Sequence, residues 1–155
     1  MSKSLARVKA ALAAAGLAAQ IKQMADGTRT AAQAAVAAGV PVDQIVKSIL
    51  FSGGDRLFLF LTAGGNQVDP AKASALAQTP LSRAEADQVR RVTGFAIGGV
   101  APIGHLTPSP IWLDPRLLEF DEIWAAAGTP HHIFPIAPAT LLSLAKSTVA
   151  DFTSQ

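Results

Sequence analysis

Helix and strand signals alternate along this 155-residue chain, which predicts an α/β or α+β fold built around one mixed sheet. Three observations carry the prediction. Thr30-Ala31-Ala32-Gln33 spells a capping box at the head of an Ala-rich helix. Two apolar runs, 45–51 and 57–61, flank Gly53-Gly54-Asp55 and read as a β-hairpin. Asp69-Pro70 supplies an N-cap followed by proline at the first helical position. The length suits one domain over residues 1–155, and neither a repeat nor a linker interrupts it.

The elements follow in order. Leu5, Val8 and Leu12 share one helical face, and Gly16 can stop that helix. Lys3, Arg7 and Lys9 before the small apolar run 10–19 imitate a secretory leader. The run is Ala-rich and weakly hydrophobic, so an amphipathic helix is the reading adopted. The Thr30 helix should end at Gly39, with Pro41 just beyond. After the hairpin and the Asp69 helix, Ser82-Arg83-Ala84-Glu85 spells a second capping box, predicting a helix to about Arg91. Residues 94–110 are too rich in Gly and Pro for a long regular element. Residues 111–113 read as a strand. Residues 120–126 fit a strand or, by their Ala content, a helix. A final helix is expected over 138–146.

Composition narrows the function classes. Half the residues are hydrophobic and 15% are charged, which opposes disorder. No apolar stretch reaches the ~18 residues of a membrane span, so a soluble protein with no membrane partner is expected. The absence of cysteine removes disulfides, thiolate nucleophiles and Cys-based zinc sites, and fits a reducing compartment such as the cytoplasm. Residues 1–91 carry a balance of +5 and residues 92–155 one of −3. The basic half could attract phosphates, although solvated helix faces would give the same count.

Familiar catalytic spellings are missing: G-x-S-x-G, the P-loop, G-x-G-x-x-G and H-E-x-x-H do not occur. Ser143-Leu144-Ala145-Lys146 spells S-x-x-K but lies in a predicted helix without companion motifs. His131 and His132 would point to opposite faces of an extended segment, so a metal site is not expected. Two features remain. Lys47 is a cation within an apolar strand, costly to bury unless it is paired or serves a ligand. An edge-strand or snorkelling lysine would give the same pattern. The second feature is Gly98-Gly99-Val100-Ala101-Pro102-Ile103-Gly104-His105. It can bring main-chain groups close to a substrate, or can be a structural turn.

Taken together, these segments resemble the YbaK/ProX family, the INS-like trans-editing aminoacyl-tRNA deacylases. The match runs from the Thr30 helix through Gln44-Ile45-Val46-Lys47-Ser48-Ile49 and Gly98-x-x-x-Pro102-x-Gly104-His105. It continues in Leu113-Asp114-Pro115 and in Ala127-Gly128-Thr129-Pro130-His131-His132-Ile133-Phe134-Pro135. The resemblance implies a mixed sheet curved around a pocket and flanked by helices. It implies hydrolysis of the ester of mischarged tRNA, commonly tRNA-Pro carrying a small wrong amino acid such as Ala or Cys. No cofactor and no metal are implied. The partners implied are the 3′ end of the mischarged tRNA and prolyl-tRNA synthetase. By the same resemblance Lys47 contacts the terminal nucleotide and holds the ester, and the Gly98 backbone helps position the reactive end. Thr30, Gly99, Pro102, Gly104, His105 and His132 are the further substrate-binding candidates. A mechanism assisted by the substrate's own ribose hydroxyl needs positioning and electrostatics more than a triad. Two other classes fit the same residues: a non-catalytic module that binds tRNA or a synthetase, and a small-molecule-binding domain.

Overall fold

The computed structural model describes residues 2–18, 20–24 and 30–154. Ser2 caps the first helix, α1 (Lys3–Ala14), by accepting the Leu5 N–H at 3.1 Å. Leu5, Val8 and Leu12 form its buried face. An isolated helix of twelve residues is marginal in water, so this packing, worth about 1.5–3 kcal/mol per side chain, is what holds it. Gly16 takes a φ of +77° and ends it. Ala19, the last residue of the apolar run, lies outside the described residues.

Strand β1 (Lys22–Gln23) precedes α2 (Ala31–Ala38), where both halves of the Thr30/Gln33 capping box form. Gly39 closes α2 in the left-handed conformation. A 3-10 helix (Val42–Gln44) leads into the expected hairpin, β2 (Val46–Gly53) and β3 (Arg56–Ala63). Strand β3 is buried on both faces, hence its unbroken apolar run. Leu57, Leu59 and Leu61 enter the main core, while Phe58 and Phe60 join Phe152 in a second one. Trp112 stacks on Phe60 with ring centres 5.0 Å apart. Helix α3 (Pro70–Ala77) starts as expected, the Asp69 carboxylate accepting from Ala71 and Lys72 N–H.

The next expectation fails. Ser82 and Arg83 do not cap a helix but form a short strand, β4 (Ser82–Arg83), paired with Ser52 and Phe51 of β2. Sheet pairing satisfies that backbone more fully than one side-chain cap would, so α4 (Ala86–Thr93) begins later and runs past Arg91. Residues 94–110 carry no helix or strand. Beyond β5 (Ile111–Leu113), a second 3-10 helix (Pro115–Glu119) is capped by Asp114. The ambiguity at 120–126 resolves as strand β6 (Ile123–Ala126), because it pairs with β7 (His132–Ile136). Strand β7 has no counterpart among the elements expected from the sequence, and it contains Pro135, a residue unusual in a strand interior. It is tolerated because β1 reaches only His132 and Ile133, leaving Pro135 with a partner on the β6 side alone. Helix α5 (Pro138–Leu144) and strand β8 (Thr148–Val149) complete the chain.

The class is α+β, and the strands divide into two sheets rather than one. A mixed five-stranded sheet has the order β4-β2-β3-β5-β8, and an antiparallel three-stranded sheet the order β1-β7-β6. The bridge between Ile45 and Trp124 links them at the foot of β2. Among the described residues no helix is long and apolar enough to cross a membrane.

Candidate functional site

A cavity of about 580 Å³ opens where the two sheets diverge. Residues 45–49 of the β2 arm form one wall, and 124–126 of β6 with His132 and Ile133 of β7 form another. The amino end of α2, at Thr30, and the irregular segment at Ile97, Gly98 and Val100 complete it. Strand β4 pairs only with Phe51 and Ser52, so among the described residues no strand pairs with the lower half of β2 on that edge.

Four of the eight candidate residues line this cavity: Lys47, Gly98, Thr30 and His132. The other four do not, and the structure gives each a packing role. A Cβ on Gly99 would lie 2.8 Å from Thr129 backbone atoms, so its lack of a side chain lets two loops touch. Pro102 is buried. Gly104 takes a φ of +78° against the Arg7 backbone. His105 lies edge-on to Phe95, and its Nε2 is 2.6 Å from the Ala101 carbonyl. That contact fixes Nε2–H as the donor, and Nδ1 is buried without a partner among the described residues. Burial, opposed by the Ala101 bond and reinforced by the Arg7 charge, holds its pKa below the ordinary histidine value.

Lys47 is half-buried. Burial lowers its pKa from the ordinary lysine value, while the carboxylates of Asp114 and Asp43 act in the opposite direction. Its Nζ donates to the main-chain carbonyl of Asn66. The loop bearing that carbonyl is tied down on several sides. The Asn66 side-chain amide donates to Asp114 Oδ2 at 2.9 Å, and Ala63 N–H donates to the same oxygen at 3.1 Å. Arg116 N–H takes the other Asp114 oxygen at 2.9 Å. Asp43 accepts from Gly65 N–H at 2.8 Å and from Arg116 Nε at 3.0 Å. Asp114 is 2% exposed, so its charge is stabilised by these donors rather than by water.

Across the cavity, His132 Nδ1 lies 2.6 Å from Thr129 Oγ1, which also accepts the His131 N–H at 3.1 Å. With that lone pair taken, the hydroxyl proton is free to point at Nδ1 of a neutral imidazole. Burial first, then the charges of His131 and Lys9, lowers the His132 pKa and favours that neutral form. Among the described residues no group of three His, Asp or Glu side chains is placed to hold a metal.

Sequence reasoning passed over Asn66, Thr129 and Trp124. Thr129 sat within a quoted motif without a role, and Asp114 likewise. Asn66 carried no local signal, because its importance arises from a main-chain atom brought to Lys47 by the β3 exit.

Two sheets flanking one cavity, with Lys47 on one wall and the Gly98 segment on another, make this an α+β domain built around an open pocket. The chain belongs to the aminoacyl-tRNA editing domain family, whose model matches residues 25–144. It is similar over its whole length to the crystal structure of a proposed trans-editing enzyme for prolyl tRNA synthetase. The two are 45% identical with a TM-score of 0.93, covering 100% of this chain and 99% of that one. The uncharacterized protein YwhH of Bacillus subtilis (strain 168) is 28% identical over 130 residues, 83% of each chain. The proline–tRNA ligase of Thermosipho africanus (strain TCF52B) is 35% identical over 77 residues, 49% of this chain. The match spans only 14% of that ligase, one part of a much longer protein.

Proposed function

We propose that the chain is a trans-editing deacylase that hydrolyses the ester of mischarged tRNA, with tRNA-Pro bearing a small wrong amino acid as the expected substrate. The supporting observation is that Lys47 and Gly98 line one cavity, the lysine supplying spare donors and the glycine exposed main chain. An ammonium has three N–H donors, and Asn66 occupies one. The remaining two can hold the terminal nucleotide and the ester. The main chain at Gly98, with a φ of +96°, positions the reactive end. The ribose hydroxyl beside the ester orients water, and the protein contributes placement and charge stabilisation. Small apolar groups at Ala31, Ala34 and Ala126 line the cavity and fit a short acyl side chain. Prolyl-tRNA synthetase is the partner this reading implies, and the cytoplasm its place of action.

The test is single-turnover deacylation over a panel of mischarged tRNAs. Lys47→Ala should reduce the rate at least ~100-fold, the loss expected when a transition-state donor is removed, while the melting temperature stays within a few degrees. Equal rates for the two proteins would reject the lysine's role. On a tRNA whose terminal ribose lacks the neighbouring hydroxyl, the rate at saturation should collapse while binding persists. Binding to tRNA without hydrolysis of any panel member would favour the non-catalytic module.

A further inference from the structure

We propose that Asn66 is a positioning residue for Lys47: its main-chain carbonyl holds one ammonium N–H while its side-chain amide anchors that carbonyl to buried Asp114. The inference rests on the reading of Lys47 as the substrate-holding group, but its geometry stands apart from any substrate. A lysine side chain has four rotatable bonds and loses much freedom when it is fixed. Strand β2 sets only where that side chain begins. Its end is set by the turn leaving β3, where Gly64 and Gly65 bring Asn66 round to the ammonium.

Both glycines are required by contact. A Cβ on Gly64 would stand 2.2 Å from the Val42 carbonyl oxygen, and one on Gly65 2.3 Å from Asp43 Oδ1. The turn is therefore pressed against the 3-10 helix preceding β2. It is fastened by Gly65 N–H to Asp43, by Asn66 N–H to the Ala63 carbonyl at 2.9 Å, and by the Asn66 amide to Asp114. Only the last of these bonds uses the Asn66 side chain. The groups that can tune the ammonium are Asp43 on the 3-10 helix, Asp114 at the end of β5, Arg116 paired with Asp43, and His132 across the cavity. Asn66→Ala leaves all of them in place and removes only the tether.

The experiment follows the Lys47 ammonium by NMR titration of lysine labelled at the ε-carbon, in wild type and Asn66→Ala, assigned through Lys47→Arg. The freed carbonyl should hold the ammonium less well, so the Lys47 titration should move to lower pH in the variant, with the other lysines unchanged. Coincident Lys47 titrations in wild type and variant would overturn the proposal. Asn66→Ser, too short to reach Asp114 in the same way, gives the same reading if alanine compromises folding. In parallel, the single-turnover rate on a mischarged tRNA that the wild type deacylates should fall ~10-fold at saturation with little change in binding, the signature of a misplaced group. A change in binding alone would also count against positioning. If wild type hydrolyses no mischarged tRNA, the proposed activity falls, while the titration still decides the tether.

Discussion

Lys47 and Gly98 line the same cavity but are held there by opposite means. The lysine wall is built from regular structure: β2 is registered against β3 over its whole length, and a buried carboxylate gathers the strand ends around Asn66. The glycine wall has no helix or strand at all between residues 94 and 110. It is shaped by side chains reaching in from elsewhere. Arg7 of α1 donates to the Gly104 carbonyl at 3.2 Å and the Gly94 carbonyl at 2.8 Å, with its guanidinium 4.6 Å over the Phe95 ring. His105 closes back on Ala101, and Thr93 Oγ1 accepts the Phe95 N–H at 3.0 Å. A sheet fixes a side chain through many equivalent bonds, whereas an irregular loop depends on a few individual ones.

That difference can be broken open by substitution. The largest effect is expected at Asp114→Ala, which strands the buried Ala63 N–H and releases Asn66 and Arg116. Three hydrogen bonds to a charged acceptor are lost, at about 1.5–3 kcal/mol each, so the total should exceed ~3 kcal/mol in urea unfolding. A loss under 1 kcal/mol would mean that water replaces the carboxylate. Next comes Arg7→Ala, which removes charge-assisted bonds to the carbonyls of Thr93, Gly94 and Gly104 and should cost about 1.5–3 kcal/mol. Hydrogen exchange should rise more steeply in residues 94–105 than in β2 and β3. Uniform acceleration across both regions would erase the distinction drawn here.

The smallest effect concerns pH. His105 is held below the ordinary histidine pKa of about 6.5 in the fold, so below that pH the unfolded chain takes up a proton that the folded chain resists. Stability contributed by neutral His105 is present above about pH 6.5 and declines as pH falls toward its folded value. His132 is shifted in the same direction and adds to the slope. The fall in melting temperature from pH 7.5 to 5.5 should therefore be shallower in His105→Asn than in wild type, without vanishing. An identical slope would show that His105 titrates normally.

The same contrast explains what could be read from the residues. The Thr30 capping box, the 45–61 hairpin and the Asp69 N-cap are local signals, and each element formed where its spelling placed it. The Ser82 box was equally clear and gave way, because β2 offered its backbone a pairing that no local rule anticipates. Lys47 stood out because a cation interrupts an apolar strand. The glycine-rich segment stood out as well, but its spelling could not separate Gly98, exposed at the cavity, from Gly99, packed against Thr129. Gly98 is called for by a φ of +96° with open space around it, Gly99 by the close approach of the Thr129 backbone. His105 illustrates the same limit: its place in a motif said nothing of the Ala101 carbonyl that engages it.

Arg7 also dictates a sequence of events during synthesis. Its carbonyl partners lie 86, 87 and 97 residues further along the chain, and a Cβ at Gly128 would meet the Ser4 carbonyl at 2.7 Å. Helix α1 thus leaves the ribosome well before the segments it docks against. Until then α1 carries Leu5, Val8 and Leu12 without cover, and a lone helix of that length frays. Nascent chains should therefore gain protection of α1 late, in the same step that orders the glycine wall, well after the hairpin has paired.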